Sequence, residues 1–75
     1  MGRLTLYGKP GCHLCEAAER ELARYRHDLE IVDITADPAL LAAYGERIPV
    51  LQVGGREYAA PLSRAVIERA LREHA

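Results

Sequence analysis

Lys9-Pro10-Gly11-Cys12-His13-Leu14-Cys15-Glu16 carries both cysteines of the chain, spaced C-x-x-C, between an apolar run (Leu4-Thr5-Leu6-Tyr7) and the start of a helical pattern. Cysteines at i and i+3 on a helix start are near neighbours on one face. Their Cα separation of roughly 5 Å lies within the window for a disulfide. So short a loop removes little entropy from the unfolded chain, which leaves chemistry as the better reason for the pair. Pro10-Gly11 is a turn signal that puts Cys12 at or just before the first helical residue. There the helix dipole and unpaired N–H groups favour a thiolate, and such sites bring a thiol from about 8.5 down to roughly 3.5–7.5. Lys9, the single lysine among ten basic residues, and His13 add positive charge nearby. Cys15, one turn further in, is expected to be more buried. Cys12 therefore reads as the attacking sulfur and Cys15 as the resolving one.

Two other readings of the pair stay open at this point. C-x-x-C is also metal-ligand spacing, but a tetrahedral site needs two more ligands. His13 is adjacent, while His27 and His74 stand far along the chain. The alternative is thus a binding module that holds a metal through Cys12 and Cys15 between chains, or has no redox role and buries them as small hydrophobes. No metal is expected in a single chain.

The 75 residues make one domain, 1–75, with a small core. Hydrophobic residues at 49% and charged residues at 28% argue against disorder. Phe and Trp are absent, so Leu, Ile, Val, Ala and four tyrosines must fill the interior. A formal charge of -1 gives no footprint for nucleic acid and no basic patch for a membrane. No apolar run reaches the length of a membrane span or a signal-peptide core. Met1-Gly2 is followed by Leu6 where myristoylation wants Ser or Thr. A cytoplasmic location is expected, and C-x-x-C beside a β-α-β pattern there reads as redox-active.

The periodicity predicts a strand over Arg3–Tyr7 and a helix from Cys12 to Arg26 with Leu14, Cys15, Ala18, Leu22 and Tyr25 inward. Glu16–Arg20 and Glu21–Arg24 pair outside, and His27-Asp28 breaks the helix. Leu29–Ile34 is a second strand, rich in β-branched residues, and the short crossover makes it parallel to the first. Asp37, Pro38 and Gly45 punctuate a second helix with Leu40, Leu41 and Tyr44 as its apolar stripe. Strands at Val50–Val53 and Arg56–Ala59 join through Gly54-Gly55. Ser63 caps a last helix that buries Val66, Ile67, Ala70 and Leu71, with Glu68–Arg72 paired outside. The order is βαβαββα, an α/β class.

Tyr7-Gly8-Lys9-Pro10-Gly11-Cys12-His13-Leu14-Cys15 resembles the tyrosine-x-lysine-x-x-C-x-x-C opening of glutaredoxins, with Tyr7 and Lys9 in register. Arg47-Ile48-Pro49-Val50 is similar to that family's threonine-valine-proline segment. The likeness runs from Leu4 to the last helix, and Cys-His-Leu-Cys is similar to short bacterial glutaredoxin-like proteins. The resemblance implies a thioredoxin-like (glutaredoxin-type) fold, with a four-stranded mixed sheet in order 2-1-3-4 flanked by three helices. It implies a cis bond at Ile48-Pro49 facing the disulfide, with the Ile48 backbone N–H and C=O open to an extended substrate. Lys9, His13, Ile48 and Pro49 become the substrate-binding candidates beside the catalytic Cys12 and Cys15.

The activity implied is that of a monomeric thiol-disulfide oxidoreductase acting on a disulfide-bearing protein or small molecule. It has no resident cofactor, and glutathione or thioredoxin reductase is its electron donor. The sequence departs from the family at identifiable places. The glycine pair that lies against glutathione falls on Ala59-Ala60, and the acidic pair that follows falls on Leu62 and Ser63. The segment's threonine is Arg47, and the helix-start aromatic is Leu14. Added methyl groups obstruct close backbone approach, so glutathione is expected to bind weakly. Thioredoxins, the other comparison, carry a buried aspartate where Leu6 stands here, and the carboxylate nearest Cys15 in sequence is Glu16.

Overall fold

A computed structural model describes residues 3–25 and 28–73. The order is β1 (Leu4–Gly8), α1 (His13–Ala23), β2 (Leu29–Asp33), a 3₁₀ turn (Ile34–Ala36), α2 (Pro38–Tyr44), β3 (Val50–Val53), β4 (Arg56–Ala59) and α3 (Arg64–Glu73). The strands form one sheet in the order β2-β1-β3-β4. β1 runs parallel to β2 with Leu4 opposite Leu29, and antiparallel to β3 with Leu6 opposite Leu51. This is the βαβαββα order and mixed sheet expected from the sequence.

Leu4, Leu6, Leu51 and Val53 project from one face of the sheet into a core completed by Ala18 and Leu22 of α1 and Ile67 and Ala70 of α3. Burying each large aliphatic here is worth roughly 1.5–3 kcal/mol. The alternate residues of β1 point to the other face, where Tyr7 stacks on Tyr44 of α2 with ring centroids 4.5 Å apart. The central strands β1 and β3 are accordingly buried, and the edge strands β2 and β4 are mostly exposed. Ile31 on β2 is half in solvent for that reason, despite its β-branched character.

Local signals placed most elements. Asp37 accepts from the Ala39 N–H at 2.8 Å and Pro38 opens α2. Ser63 Oγ accepts from the Val66 N–H at 3.3 Å at the start of α3. Gly54 and Gly55 take φ of 60° and 81°, the pair of positive values a two-residue hairpin turn needs.

Several expectations need correction. α1 is shorter than predicted, beginning after Cys12 and ending at Ala23, while Arg26 and His27 lie outside the described residues, as do Met1, Gly2 and His74. Its inward stripe is Cys15, Ala18 and Leu22. Leu14, about 100° round the helix from Cys15, is 66% exposed. Tyr25 lies past the last turn and donates to Glu68 Oε2 at 2.9 Å, tying the end of α1 to α3. Glu68 thus serves Tyr25 in place of the expected role with Arg72. Glu16 lies 4.0 Å from His13, whereas Glu21–Arg24 pairs as predicted at 3.8 Å. β1 is shifted one residue to include Gly8, and Ile34 leaves β2 for the 3₁₀ turn. α2 fully buries none of its residues: Leu40 and Tyr44 are half-buried, Tyr44 against Tyr7 of β1, and Leu41 is exposed. Gly45 keeps right-handed dihedrals and the chain leaves α2 through a turn rather than a left-handed stop.

Candidate active site

β1 ends on Gly8, and the Lys9–Gly11 loop delivers the chain to α1. The Cys12 N–H donates to the Lys9 carbonyl at 3.4 Å, and Cys12 itself is the N-cap of α1, with φ -89° and ψ 108°. Its Sγ accepts from the Cys15 N–H at 3.2 Å, the position a serine or aspartate oxygen usually fills. Cys12 and Cys15 are joined as a disulfide with Cα atoms 5.2 Å apart. Cys12 is partly exposed and Cys15 is 5% exposed, the asymmetry expected from their places on the helix. When the pair is reduced, the same N–H and the helix dipole face the Cys12 sulfur and favour its thiolate.

Gly8 makes room for the inner sulfur. A Cβ at Gly8 would stand 3.1 Å from both Cβ and Sγ of Cys15. Any side chain there would push on the disulfide, so Gly8 is a site residue that the reading of the motif passed over. The available signal was a glycine inside a strand pattern, which marks close backbone approach.

Of the other predicted residues, Lys9 and Pro49 line two cavities that share no lining residue, and Ile48 lines neither. One, of about 220 Å³, opens between α1 and the edge strand β2 and is lined by Lys9, Cys15, Glu16, Glu19, Ile31 and Asp33 among others. The second, of about 300 Å³, lies between α1 and the β4–α3 connection and is lined by Leu14, Ala17, Pro49, Ala60, Leu62 and Arg64 among others. Lys9 is therefore brought to Cys15, and Pro49 is brought to Leu14. His13 joins neither wall: its side chain is 98% exposed on the helix surface. Among the described residues, no three His, Cys, Asp or Glu side chains gather as a metal cluster.

Ile48-Pro49 is cis, and Pro49 is fully buried. A second cis bond, Ala60-Pro61, stands across the second cavity and was not foreseen. The expectation that the Ile48 N–H is open to substrate is corrected: it donates to the Tyr44 carbonyl at 3.1 Å, which also accepts from the Arg47 N–H at 2.8 Å. The Arg47 carbonyl in turn accepts from the Ala60 N–H at 3.4 Å. Residues 44–48 form a turn leaving α2, so their N–H groups close back on the helix end. Tyr44 anchors that turn through its side chain as well. Its hydroxyl donates to Glu57 Oε2, and the Arg47 guanidinium sits 5.5 Å from its ring centroid. The bond to Glu57 pushes the Tyr44 hydroxyl up to about 12. Arg47 also reaches Glu57 at 3.3 Å, and Ser63 spends its oxygen on the α3 cap.

Comparison with known proteins agrees with this geometry. The family model described as "Glutaredoxin-like domain (DUF836)" matches residues 3–74. The X-ray structure of structural-genomics target protein XcR50 from X. campestris is 39% identical, with TM-score 0.85, over 96% of this chain and 99% of that one. A mutant of the thioredoxin-like protein BC3987 (20% identity, TM-score 0.74, 91% of this chain and 97% of that) and the glutaredoxin grx-1 of Archaeoglobus fulgidus (18%, 0.73, 96% and 88%) share the fold. No curated protein sequence is matched. Among the described residues, no helix is long and apolar enough to cross a membrane.

Proposed function

Since the chain belongs to the glutaredoxin-like domain family, we propose that it is a dithiol-disulfide oxidoreductase. The observation that carries this reading is the partly exposed Cys12 sulfur at the N-cap of α1, bonded to the buried Cys15. Reduced Cys12, as thiolate, attacks a substrate disulfide and forms a mixed disulfide; Cys15 then attacks Cys12 Sγ and releases the substrate as a thiol. One disulfide is reduced and one is formed, with two electrons passed. In this reading substrate approaches the partly exposed Cys12 over Leu14, whose exposed apolar side chain suits a disulfide carried on a protein. The extended-strand contact is limited to acceptors, since the Ile48 N–H is engaged.

Glutathione is a poor donor in this reading. Ala60 and Leu62 line the second cavity, and neither supplies the open backbone or the negative charge that would hold its backbone and α-amino group. A reductase-coupled assay on a protein disulfide, with glutathione and thioredoxin reductase in separate reactions, tests both statements. Turnover is expected with the second donor and little with the first. No turnover with either donor, together with no disulfide exchange in a single-turnover mixture, would overturn the proposal.

A further inference from the structure

Cys15 must lose a proton before it can release substrate, and a thiol buried in apolar surroundings holds its proton more tightly than a free one. Its surroundings here are specific. Cys15 is 5% exposed, and it forms part of the wall of the 220 Å³ cavity between α1 and β2. Four charged side chains line that cavity: Lys9 from the loop after β1, Glu16 and Glu19 from α1, and Asp33 from β2. A protonated lysine has no acceptor. Glu16 turns to His13, 4.0 Å away, and that imidazole is in solvent. Asp33 Oδ1 is taken by the Thr35 N–H at 2.9 Å and the Thr35 hydroxyl at 2.6 Å. Glu19 follows Cys15 by four residues on α1, which puts the two Cβ atoms roughly 5–6 Å apart on one helix face. Glu16, one residue on, is turned about 100° away from Cys15. A water takes about 30 Å³ of liquid volume, so the cavity has room for a relay between the sulfur and a carboxylate.

We propose that Glu19 accepts the Cys15 proton through water in this cavity while Cys15 displaces the substrate thiol. The inference rests on the dithiol reading above. In the step, the Cys15 S–H bond breaks and its proton passes by way of water to the Glu19 carboxylate. The sulfur electron pair forms the bond to Cys12 Sγ. The bond from Cys12 to the substrate sulfur breaks, and its electron pair leaves on the substrate as a thiolate. The two cysteines are oxidised, the substrate is reduced, and the proton on Glu19 returns to solvent through the cavity mouth. Gly8 belongs to the same device, because its missing side chain lets Cys15 sit at the wall.

The test is stopped-flow mixing of the reduced full chain with an aromatic disulfide whose thiolate product absorbs visible light. Attack by Cys12 releases the first equivalent, and attack by Cys15 releases the second. Glu19→Gln is expected to keep the first phase and slow the second about tenfold or more at neutral pH. Its second phase should then rise roughly tenfold per pH unit and meet the wild type above about pH 9, where hydroxide makes the thiolate unaided. Glu16→Gln and Asp33→Asn, the two other carboxylates of the cavity, are expected to leave the second phase within about twofold of wild type, since neither takes the proton. An unchanged second phase in Glu19→Gln, or equal slowing in all three variants, would overturn the assignment. Absence of the first phase in the wild type is a different result, and it would overturn the dithiol reading itself.

Discussion

The two flanks of the disulfide are built differently. On the flank of Pro49 the backbone is tied down: the Tyr44 carbonyl holds two N–H groups, Ala60 holds the Arg47 carbonyl, and Pro49 is fully buried. The cavity there has Leu14 and Leu62 in its wall, with Arg64 paired to Glu21 at 3.3 Å. On the flank of β2 the space comes from an absent side chain at Gly8 and an uncovered edge strand, and the cavity has three carboxylates in its wall. A backbone held this firmly suits a substrate that must be kept in place while one bond is exchanged. A cavity with the carboxylates of Glu16, Glu19 and Asp33 in its wall suits the sulfur that has to shed a proton. The two cysteines differ both in their places on the helix, N-cap against first turn, and in the walls they face.

Removing either sulfur is the strongest way to break the comparison. On the proposed reading, in which the partly exposed sulfur at the helix start attacks, Cys12→Ser should abolish disulfide exchange. Cys15→Ser should still attack and should accumulate a mixed disulfide, visible by intact-mass measurement. A faster-alkylating Cys15 at neutral pH would reverse the assignment.

Filling the space at Gly8 is next in size. With a Cβ 3.1 Å from Cys15 Cβ and Sγ, Gly8→Ala requires a buried, bonded neighbour to shift by a few tenths of an ångström. The expected loss is about 1–3 kcal/mol, the usual cost of overpacking, read by urea unfolding of the oxidised protein. A Gly8→Ala variant as stable as wild type would mean that Cys15 yields easily and that the fit on this flank is loose.

The Pro49 flank is sharpened by its donor. The Michaelis constant for glutathione should lie far above that for a protein disulfide substrate of the same reaction. Efficient turnover at low micromolar glutathione would show that Ala60 and Leu62 do not obstruct it, and the reading of that wall as closed to glutathione would fall.

Much of this was legible in the chain because it rests on local chemistry. Val50–Val53, the Gly54-Gly55 turn and Arg56–Ala59 fell where β-branched runs and glycines put them, and Asp37, Pro38 and Ser63 marked their helix starts. The cysteine pair, and the greater burial of Cys15, followed from spacing and a helix end. What escaped depends on contacts distant in sequence. Leu14 reads as core by hydrophobicity, yet whether it is covered depends on how far the β4–α3 connection reaches. The Ile48 N–H looks open until the end of α2 is seen to turn back on it. Gly8 carries no meaning for Cys15 until β1 and α1 are packed together.

The smallest effect separates the flanks by pH. Asp33, beside the β2 cavity, accepts from the Thr35 hydroxyl and N–H, which holds its carboxyl below the ordinary range. A depressed folded-state value contributes stability that is present above the unfolded carboxylate's value, about 3.9, and is lost as pH falls through the lower folded one. Tyr44, on the Pro49 flank, is the opposite case. Its bond to Glu57 raises the hydroxyl to about 12, so its contribution is complete below the ordinary tyrosine value, near 10, and is lost as pH climbs through the folded one. Asp33 is exposed and Tyr44 is half-buried at the surface, where screening keeps such contributions small. Paired comparison across pH is therefore the useful measurement. Tyr44→Phe keeps the ring for the stack on Tyr7 and the Arg47 contact and removes only the hydroxyl. Its thermal midpoint should sit slightly below wild type at neutral pH and converge with it as the pH approaches 12. Asp33→Asn should converge with wild type at the acid end instead. Tyr25 and Tyr58 are also raised and Glu73 is also lowered, but these terms are common to wild type and variant and cancel in the difference. If Tyr44→Phe kept a constant offset from wild type through the alkaline range, the Tyr44–Glu57 bond would not be what holds the turn before Pro49, and stacking on Tyr7 would have to do it alone.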